Sequence, residues 1–312
     1  MNPARSSTLG QSAVRVSRLG FGSAPIAHLY GHIPLAQALE TVNTALERGV
    51  TLLDTAPWYG LGEAERRLGL ALRGVPRDRY TLSSKVGRVL EDGGVRFDFS
   101  RDGVLRSLEG SLERLGTDRL DIVHLHDPDD FERQALFEAL PTLLELKAQG
   151  VIGAVGAGMN QAAMLERFAQ HGGFDAFMLA GRYTLLEQGG LKLLNLCAEQ
   201  GIAVLLGGVF NSGILATGVV KGAKYNYQDA PPAVLERVRR FEEVCREFGV
   251  LLAAAALHFP LAHPAVASLV VGAASSAELE VNLGFMETQI PLEFWTALRD
   301  AGLLSLEAPI PL

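Results

Sequence analysis

At 312 residues, 48% hydrophobic and 20% charged, the chain has the make-up of a globular protein able to bury a large core. Its net charge of −7, with no dense basic cluster, excludes the electrostatic footprint of a nucleic-acid or anionic-membrane binder. No apolar run approaches the roughly 20 residues that span a bilayer, and Met1 to Ser7 lack the apolar core of a signal peptide, so a cytoplasmic protein with a small-molecule partner is expected.

In chain order, residues 11–20 alternate apolar and polar side chains at Val14, Val16 and Leu19, which predicts a short N-terminal hairpin. A unit then repeats, in which an amphipathic helix stops at a Gly and runs into a β-rich apolar segment, at Arg48-Gly49, Gln149-Gly150 and Gln200-Gly201. The strand candidates are Gly20 to Ala24, Val50 to Asp54, Tyr80 to Lys85, Asp121 to His126, Ile152 to Ala157, Asp175 to Leu179, Ala203 to Gly207 and Ala267 to Val271. Between the third and fourth, Ser100 is a helix N-cap and Val104, Leu105, Leu108, Leu112 and Leu115 form one helical face. The long segment Phe210 to Pro232 reads as a lid over a bound molecule. Helices over Ala277 to Phe285 and Pro291 to Ala301 close the chain. Cys197 and Cys245 fall in helical patterns without metal-ligand spacing and read as core residues, so neither a disulfide nor a metal site is expected. Key residues some 30 to 40 positions apart fit strand-helix-strand units, and eight such units make a closed (β/α)8 TIM barrel, taken as a single domain over residues 1–312. A doubly wound open sheet is the alternative, but no Gly-x-Gly-x-x-Gly follows the first strand.

Three strands end in chemistry. The run Leu52-Leu53-Asp54-Thr55-Ala56-Pro57-Trp58-Tyr59-Gly60 leaves a strand on a carboxylate and carries a tyrosine in the following loop; the next two strands end on Lys85 and His126. In a barrel these ends share one face. An ammonium at Lys85 would lower the pKa of the Tyr59 phenol, Asp54 would hold Lys85 charged, and His126 would donate to a substrate oxygen as a neutral imidazole. Singly, Asp54 could cap a turn, Lys85 lie on a rim and Tyr59 decorate a loop; four matched residues on adjacent strand ends favour the chemical reading. His124 shares the strand face of His126 and, being deeper, reads as a structural histidine satisfied in the barrel interior.

At these residues the chain resembles the aldo-keto reductase family: Asp54-Thr55-Ala56 with Tyr59-Gly60, Ser84-Lys85-Val86-Gly87-Arg88, and Leu120 to His126 match its three signatures in order. The resemblance implies a tetrad of Asp54, Tyr59, Lys85 and His126, with Tyr59 as general acid or base, and a nicotinamide cofactor bound extended without a Rossmann domain. It carries cofactor contacts to Gly22, Ser23 and Asp54, and to Asn160 in Gly156-Ala157-Gly158-Met159-Asn160, where the family often has Ser-Asn. Further contacts fall on Gly208, Val209, Phe210, Ser212 and Gly213, with Phe210 as a stacking surface and the turn's amides toward the pyrophosphate. The family's sixth-strand Gln, counted back from Tyr183, is Ala180. After the eighth strand the phosphate-binding segment supplies Gly272, Ala274, Ser275, Glu278 and Asn282. Gly272 and Glu278 stand where users of NADP place Lys and Arg, which implies a preference for NAD.

The Gly208-Val209-Phe210-Asn211-Ser212-Gly213 run is most similar to the family's aldose 1-dehydrogenase branch, which implies NAD-dependent oxidation of L-fucose, L-galactose or D-arabinose at C1 to the lactone. Trp58, Arg182, Lys224, Tyr225 and Tyr227, beside Tyr59 and His126, are the candidate substrate contacts. Pyridoxal oxidation and general aldehyde reduction are alternatives within the family. A nicotinamide-binding regulatory subunit is the alternative of another class, against which stands the lack of an extended docking segment.

Overall fold

The computed structural model describes residues 1–28, 31–91 and 94–312. The chain begins with a hairpin, β1 (Ser6–Thr8) against β2 (Arg15–Ser17), so the alternating stretch expected to form the hairpin supplies its second strand and the first lies just upstream. There follow β3 (Leu19–Gly22), α1 (Leu35–Glu47), β4 (Leu52–Asp54), α2 (Glu63–Ala71) and β5 (Thr81–Val86). A second hairpin, β6 (Arg88–Glu91) with β7 (Gly94–Phe97), precedes α3 (Arg101–Leu115) and β8 (Leu120–His126). A short helix α4 (Glu132–Gln134) passes through a π-helical turn, Ala135–Ala139, into α5 (Leu140–Ala148). Pro141 has no amide to continue the ordinary ladder there. The remainder is β9 (Ile152–Met159), α6 (Ala162–His171), β10 (Ala176–Ala180), α7 (Leu191–Gln200), β11 (Ala203–Gly207), α8 (Ile214–Thr217), the hairpin β12 (Lys224–Tyr225) and β13 (Gln228–Asp229), α9 (Pro232–Phe248), α10 (Leu252–His258), β14 (Val266–Gly272), α11 (Ser276–Glu287) and α12 (Leu292–Asp300).

The eight strands expected from the sequence pair in parallel and close in the order β3-β4-β5-β8-β9-β10-β11-β14, with β14 returning to β3. Helices pack outside. This is the (β/α)8 barrel. Because side chains alternate across a strand, most strands are apolar on both faces: Leu53, Leu82, Val123, Val155 and Phe177 face the helices, while Leu52, Ile122, Ala154, Met178, Leu205 and Val270 fill the interior; β3 and β5 instead alternate apolar residues with Gly20 and Gly22 and with Thr81, Ser83 and Lys85. Leu9 and Val16 of the first hairpin join the interior cluster. The hairpin plugs the N-terminal end of the barrel, where Thr81 Oγ1 donates to the Arg15 carbonyl at 2.7 Å. The other end stays open for chemistry.

Helix ends follow the sequence signals. Ser100 caps α3 by accepting from the Gly103 amide at 3.1 Å, and Gly49, Gly150 and Gly201 all have positive φ just past their helices. The segment from Phe210 to Pro232 is less irregular than its composition implies, holding α8 and the β12–β13 hairpin. No single helix among the described residues is long and apolar enough to cross a membrane.

Candidate active site

Register brings the strand ends level. Gly22 pairs with Asp54, Asp54 with Ser83, Lys85 with His124, and His126 with Gly158. Asp54 continues the inward-facing position of Leu52, as His124 and His126 continue that of Ile122, so the interior column changes from apolar to ionisable at the barrel mouth. Lys85 is 2% exposed and Asp54 also 2%. The Lys85 ammonium donates to Asp54 Oδ2 at 2.8 Å and to the Thr55 carbonyl at 2.7 Å. Two of its three donors are thereby used. Its Nζ lies 4.9 Å from the centre of the half-buried Tyr59 ring, and Tyr59 meets His126 edge to face at 6.1 Å. Asp54 Oδ1 accepts from Ser83 Oγ at 2.7 Å. The four expected residues form one constellation.

Burial works against the Lys85 charge, but Asp54 and Tyr59 outweigh it and hold the ammonium above its ordinary pKa. Tyr59 differs from expectation. Burial pushes its phenol above the ordinary value, with Asp54 and Asp127 adding to the rise, and Lys85 only partly offsets them. Burial, with Lys85 and Arg88 nearby, holds His126 well below its usual value, so it is a neutral imidazole able to donate one hydrogen bond. His124 is fully buried in the interior as expected, yet it is not satisfied there: both its ring nitrogens lack a partner among the described residues. Burial and Lys85 lower its pKa to about 3. The bare strand opposite makes room for it, since a Cβ on Gly156 would lie 2.2 Å from His124 Nδ1.

Three supports of the tetrad were not singled out from sequence. Ser83 holds Asp54, as above. On the outer face Ser84 Oγ donates to the fully buried Glu65 at 2.7 Å, and Glu65 accepts from Arg114 Nε at 2.7 Å, which ties β5 beside Lys85 to α2 and α3. Arg88 donates to the Asp127 carboxylate, and Asp127 Oδ2 lies 3.6 Å from His126 Nε2. Burial raises the Asp127 pKa, with Arg88 opposing and Asp129 adding. A cavity of about 340 Å³ opens here, lined by Arg88, Asp127, Asp129, Asp130, Asn160 and Gln161 with Phe97 and Phe131 as its apolar walls. Asn160 thus stands at the exposed end of β9, on the side of Asp127.

The expected cofactor residues form a rim around the mouth. Ser23 is fully buried; its amide donates to the Asp54 carbonyl at 2.9 Å, while its Oγ, like Thr55 Oγ1, lacks a partner among the described residues. Buried hydroxyls left open at two adjacent strand ends suit a polar ligand laid across them. Gly22 and Gly272 lie side by side on β3 and β14, and a Cβ on Gly272 would come 2.7 Å from Pro25 Cγ. After β11, Gly208 is exposed, but Val209 is buried and Phe210 packs partly against the core. The amides of Asn211 and Gly213 donate to Gly208 and Phe210 carbonyls within the turn, so those two are not open to a ligand, contrary to expectation. Asn211 instead joins loops, accepting from Thr184 Oγ1 at 2.6 Å and donating to the Gly181 carbonyl at 3.3 Å. Ser275 caps α11 by accepting from the Glu278 amide at 3.2 Å, and the Glu278 carboxylate accepts from the Ala274 amide at 2.8 Å. Asn282 is buried one to two turns on.

The expected substrate contacts divide. Trp58 stands at the mouth with Arg88 5.4 Å over its ring. The others tie the β12–β13 hairpin down: Arg182 donates to Asn226 Oδ1 at 3.2 Å, Tyr225 donates to Glu187, and the Tyr227 amide donates to Ser212 Oγ at 3.0 Å. Lys224 pairs with Asp229 at 2.7 Å within the hairpin, and the Tyr227 side chain is 74% exposed. None of these four lines the cavity beside His126, and Trp58, Tyr59 and His126 stand next to it rather than on its wall. Ala180 ends β10, and Tyr183, from which it was counted back, is fully buried against Phe259 and His263.

Comparison with known proteins agrees with this geometry. The chain is 36% identical to a pyridoxal 4-dehydrogenase of Microbacterium luteolum, covering 95% of this chain and 97% of the relative. It is 35% identical to a D-threo-aldose 1-dehydrogenase of a Pseudomonas species, over 94% and 96% of the two chains. Among solved structures, an aldo-keto reductase from Bacillus halodurans in its holo form superposes with a TM-score of 0.81 at 27% identity, covering 98% of each chain. Aldo-keto reductases use nicotinamide cofactors, and the open hydroxyls of Ser23 and Thr55 beside Asp54 fit such a ligand. The family model for the aldo/keto reductases matches residues 18–302, and the chain therefore belongs to that family, an oxidoreductase of CH–OH and carbonyl groups.

Proposed function

We propose that the protein oxidises a free aldose at C1 to the lactone, with NAD as the hydride acceptor. The observation that carries this reading is the cavity beside His126, in which six of eight lining residues are polar. A sugar, with a hydroxyl on nearly every carbon, needs more such partners than pyridoxal, whose polar groups ring a flat aromatic face. Bound nicotinamide supplies the hydride acceptor, and the chain supplies everything else. Tyr59 takes the proton of the anomeric hydroxyl, Lys85 stabilises the phenolate, Asp54 keeps Lys85 charged and in place, and the neutral His126 donates to a substrate oxygen. Gly22, Ser23, Thr55, Asn160 and the 272–282 segment cradle the cofactor. The Glu278 carboxylate, at the start of α11, disfavours a 2′-phosphate and supports the preference for NAD.

Pyridoxal remains the second reading, favoured by the relative of that name at 36% identity. A panel of L-fucose, L-galactose, D-arabinose, D-glucose and pyridoxal, each with NAD and NADP, tests both. The first three sugars are expected to give lactone with higher kcat/KM than glucose. A more than tenfold preference for pyridoxal, or no lactone from any of the three, overturns the aldose reading. Tighter binding of NADP than NAD in a fluorescence titration overturns the cofactor preference.

A further inference from the structure

We infer that Asp127 and Arg88 form a hydroxyl-reading subsite next to the reacting carbon, built for an uncharged monosaccharide. The inference rests on the aldose reading above and names what selects the sugar. Its geometry begins in the backbone. Asp127 follows directly after the strand that presents His126, and by alternation its side chain belongs on the opposite face. Its φ of 45° takes it out of the strand and brings the carboxylate to 3.6 Å from His126 Nε2. Its amide donates to the Gly158 carbonyl at 3.0 Å, which holds this turn in place.

Arg88 completes the pair. It lies three residues beyond Lys85, and its guanidinium sits 5.4 Å from the centre of the Trp58 ring and 5.0 Å from that of Phe97. Held by two aromatic faces and by Asp127, it is a fixed donor and not a swinging one. Its bond is to Asp127 Oδ2, while Oδ1 accepts no hydrogen bond from the described residues. His126 is buried, and its Nε2, 3.6 Å from Asp127 Oδ2, makes no hydrogen bond among the described residues, so its donor function is also unspent. An acceptor, a planar donor and a neutral imidazole converge where the hydroxyls flanking the reacting carbon of a sugar would lie. Phe97 and Phe131 form the apolar walls of the cavity.

Size and charge narrow the ligand further. The cavity of about 340 Å³ is at the small end of the range of roughly 300–1,000 Å³ for small-molecule sites, which suits one sugar ring. Asp129 and Asp130 join Asp127 on its wall against the single cation of Arg88. A phosphorylated or acidic sugar would meet net negative charge there.

The test compares three substrates for the unaltered enzyme and for Asp127→Asn, a change that keeps the shape and tolerates the same backbone conformation. The substrates are D-arabinose and D-arabinose 5-phosphate oxidised with NAD, and butanal, which has no hydroxyls, reduced with NADH. Asp127→Asn is expected to lower kcat/KM for D-arabinose at least tenfold more than for butanal, chiefly through KM. The unaltered enzyme is expected to favour D-arabinose over its phosphate by tenfold or more. Equal losses on D-arabinose and butanal, or equal use of the phosphate, overturn the subsite. Reduction of butanal without oxidation of any aldose by the unaltered enzyme overturns the aldose reading, and the subsite with it.

Discussion

Lys85 occupies an ion cage in which every contact bears on Tyr59. Its ammonium holds two bonds, to Asp54 and to the Thr55 carbonyl, and lies 4.9 Å from the phenol ring. Since burial outweighs this cation and leaves the phenol above its ordinary pKa, only a small fraction of Tyr59 is phenolate at neutral pH. Oxidation, which needs the phenolate as proton acceptor, is therefore expected to accelerate tenfold per pH unit between about pH 7 and 9. Lys85→Met removes the one group that draws the phenol downward, so turnover should fall about 10²- to 10⁴-fold and the rise should move to still higher pH. Asp54 would lose its cation in this variant at a cost of about 3–5 kcal/mol, though it keeps Ser83 Oγ as a donor. A pH–rate profile of both proteins, with cofactor binding by fluorescence as the check on folding, reads the outcome. A flat profile from pH 7 to 9, or near-normal rates for Lys85→Met, would remove Tyr59 and Lys85 from their assigned roles.

Among the elements, α2 packs against the end of α3 at Gly69. A Cβ there would lie 2.7 Å from the backbone oxygens of both Arg114 and Leu115, atoms that cannot move without moving the end of α3. Alanine is the better helix former by about 1 kcal/mol, yet Gly69→Ala is expected to destabilise the protein by about 1–3 kcal/mol because overpacking against backbone prevails. Urea unfolding decides this; a variant more stable than the parent refutes the close contact. Such a contact leaves no sign in the periodicity of residues 63–71, whereas the barrel strands were legible because most are apolar on both faces and several begin just after a helix stopped by Gly. All eight were found, with no end displaced by more than two residues. Asp54, Lys85 and His126 were legible for a related reason, as polar residues ending apolar runs. Hidden from that logic were features that break alternation. Asp127 is the clearest, its positive φ placing it beside His126 where a period of two puts it opposite. The β6–β7 hairpin was missed although Asp92-Gly93, which lies outside the described residues, is a turn signal between its strands. That hairpin carries Arg88 to Trp58 and Phe97 to Phe131, at 5.4 and 5.6 Å. In the lid segment, composition gave no sign of the hairpin that Arg182 and Tyr225 fasten through their side chains and Tyr227 through its amide.

For the molecule as a whole, the same interior that keeps His126 neutral makes folding depend on pH. Burial, with Lys85 alongside, lowers His124 to about 3, and burial alone lowers His263, just ahead of β14, to about 4. His126 and His258 are shifted the same way. In the unfolded chain each titrates near 6.5. Below that value the unfolded state binds protons that the folded state does not, so stability is fully present above about pH 7 and is lost as pH falls toward the folded pKa values. Each such histidine contributes a slope approaching about 1.4 kcal/mol per pH unit, and His124 and His263 together make the protein about 4 kcal/mol less stable at pH 5 than at pH 8. That is a large part of the roughly 5–15 kcal/mol by which folded domains are stable. The carboxylates with depressed values, Glu63 beside Arg67 and Arg66 and Asp98 beside Ser100 and Arg96, add to the loss only at still lower pH. Urea unfolding followed by the fluorescence of the fully buried Trp295 should therefore show a midpoint that falls steadily from pH 7 to 5. An unfolding free energy constant to within about 0.5 kcal/mol over that interval would mean that His124 and His263 protonate in the folded protein, and that the barrel interior admits charge where its geometry places none.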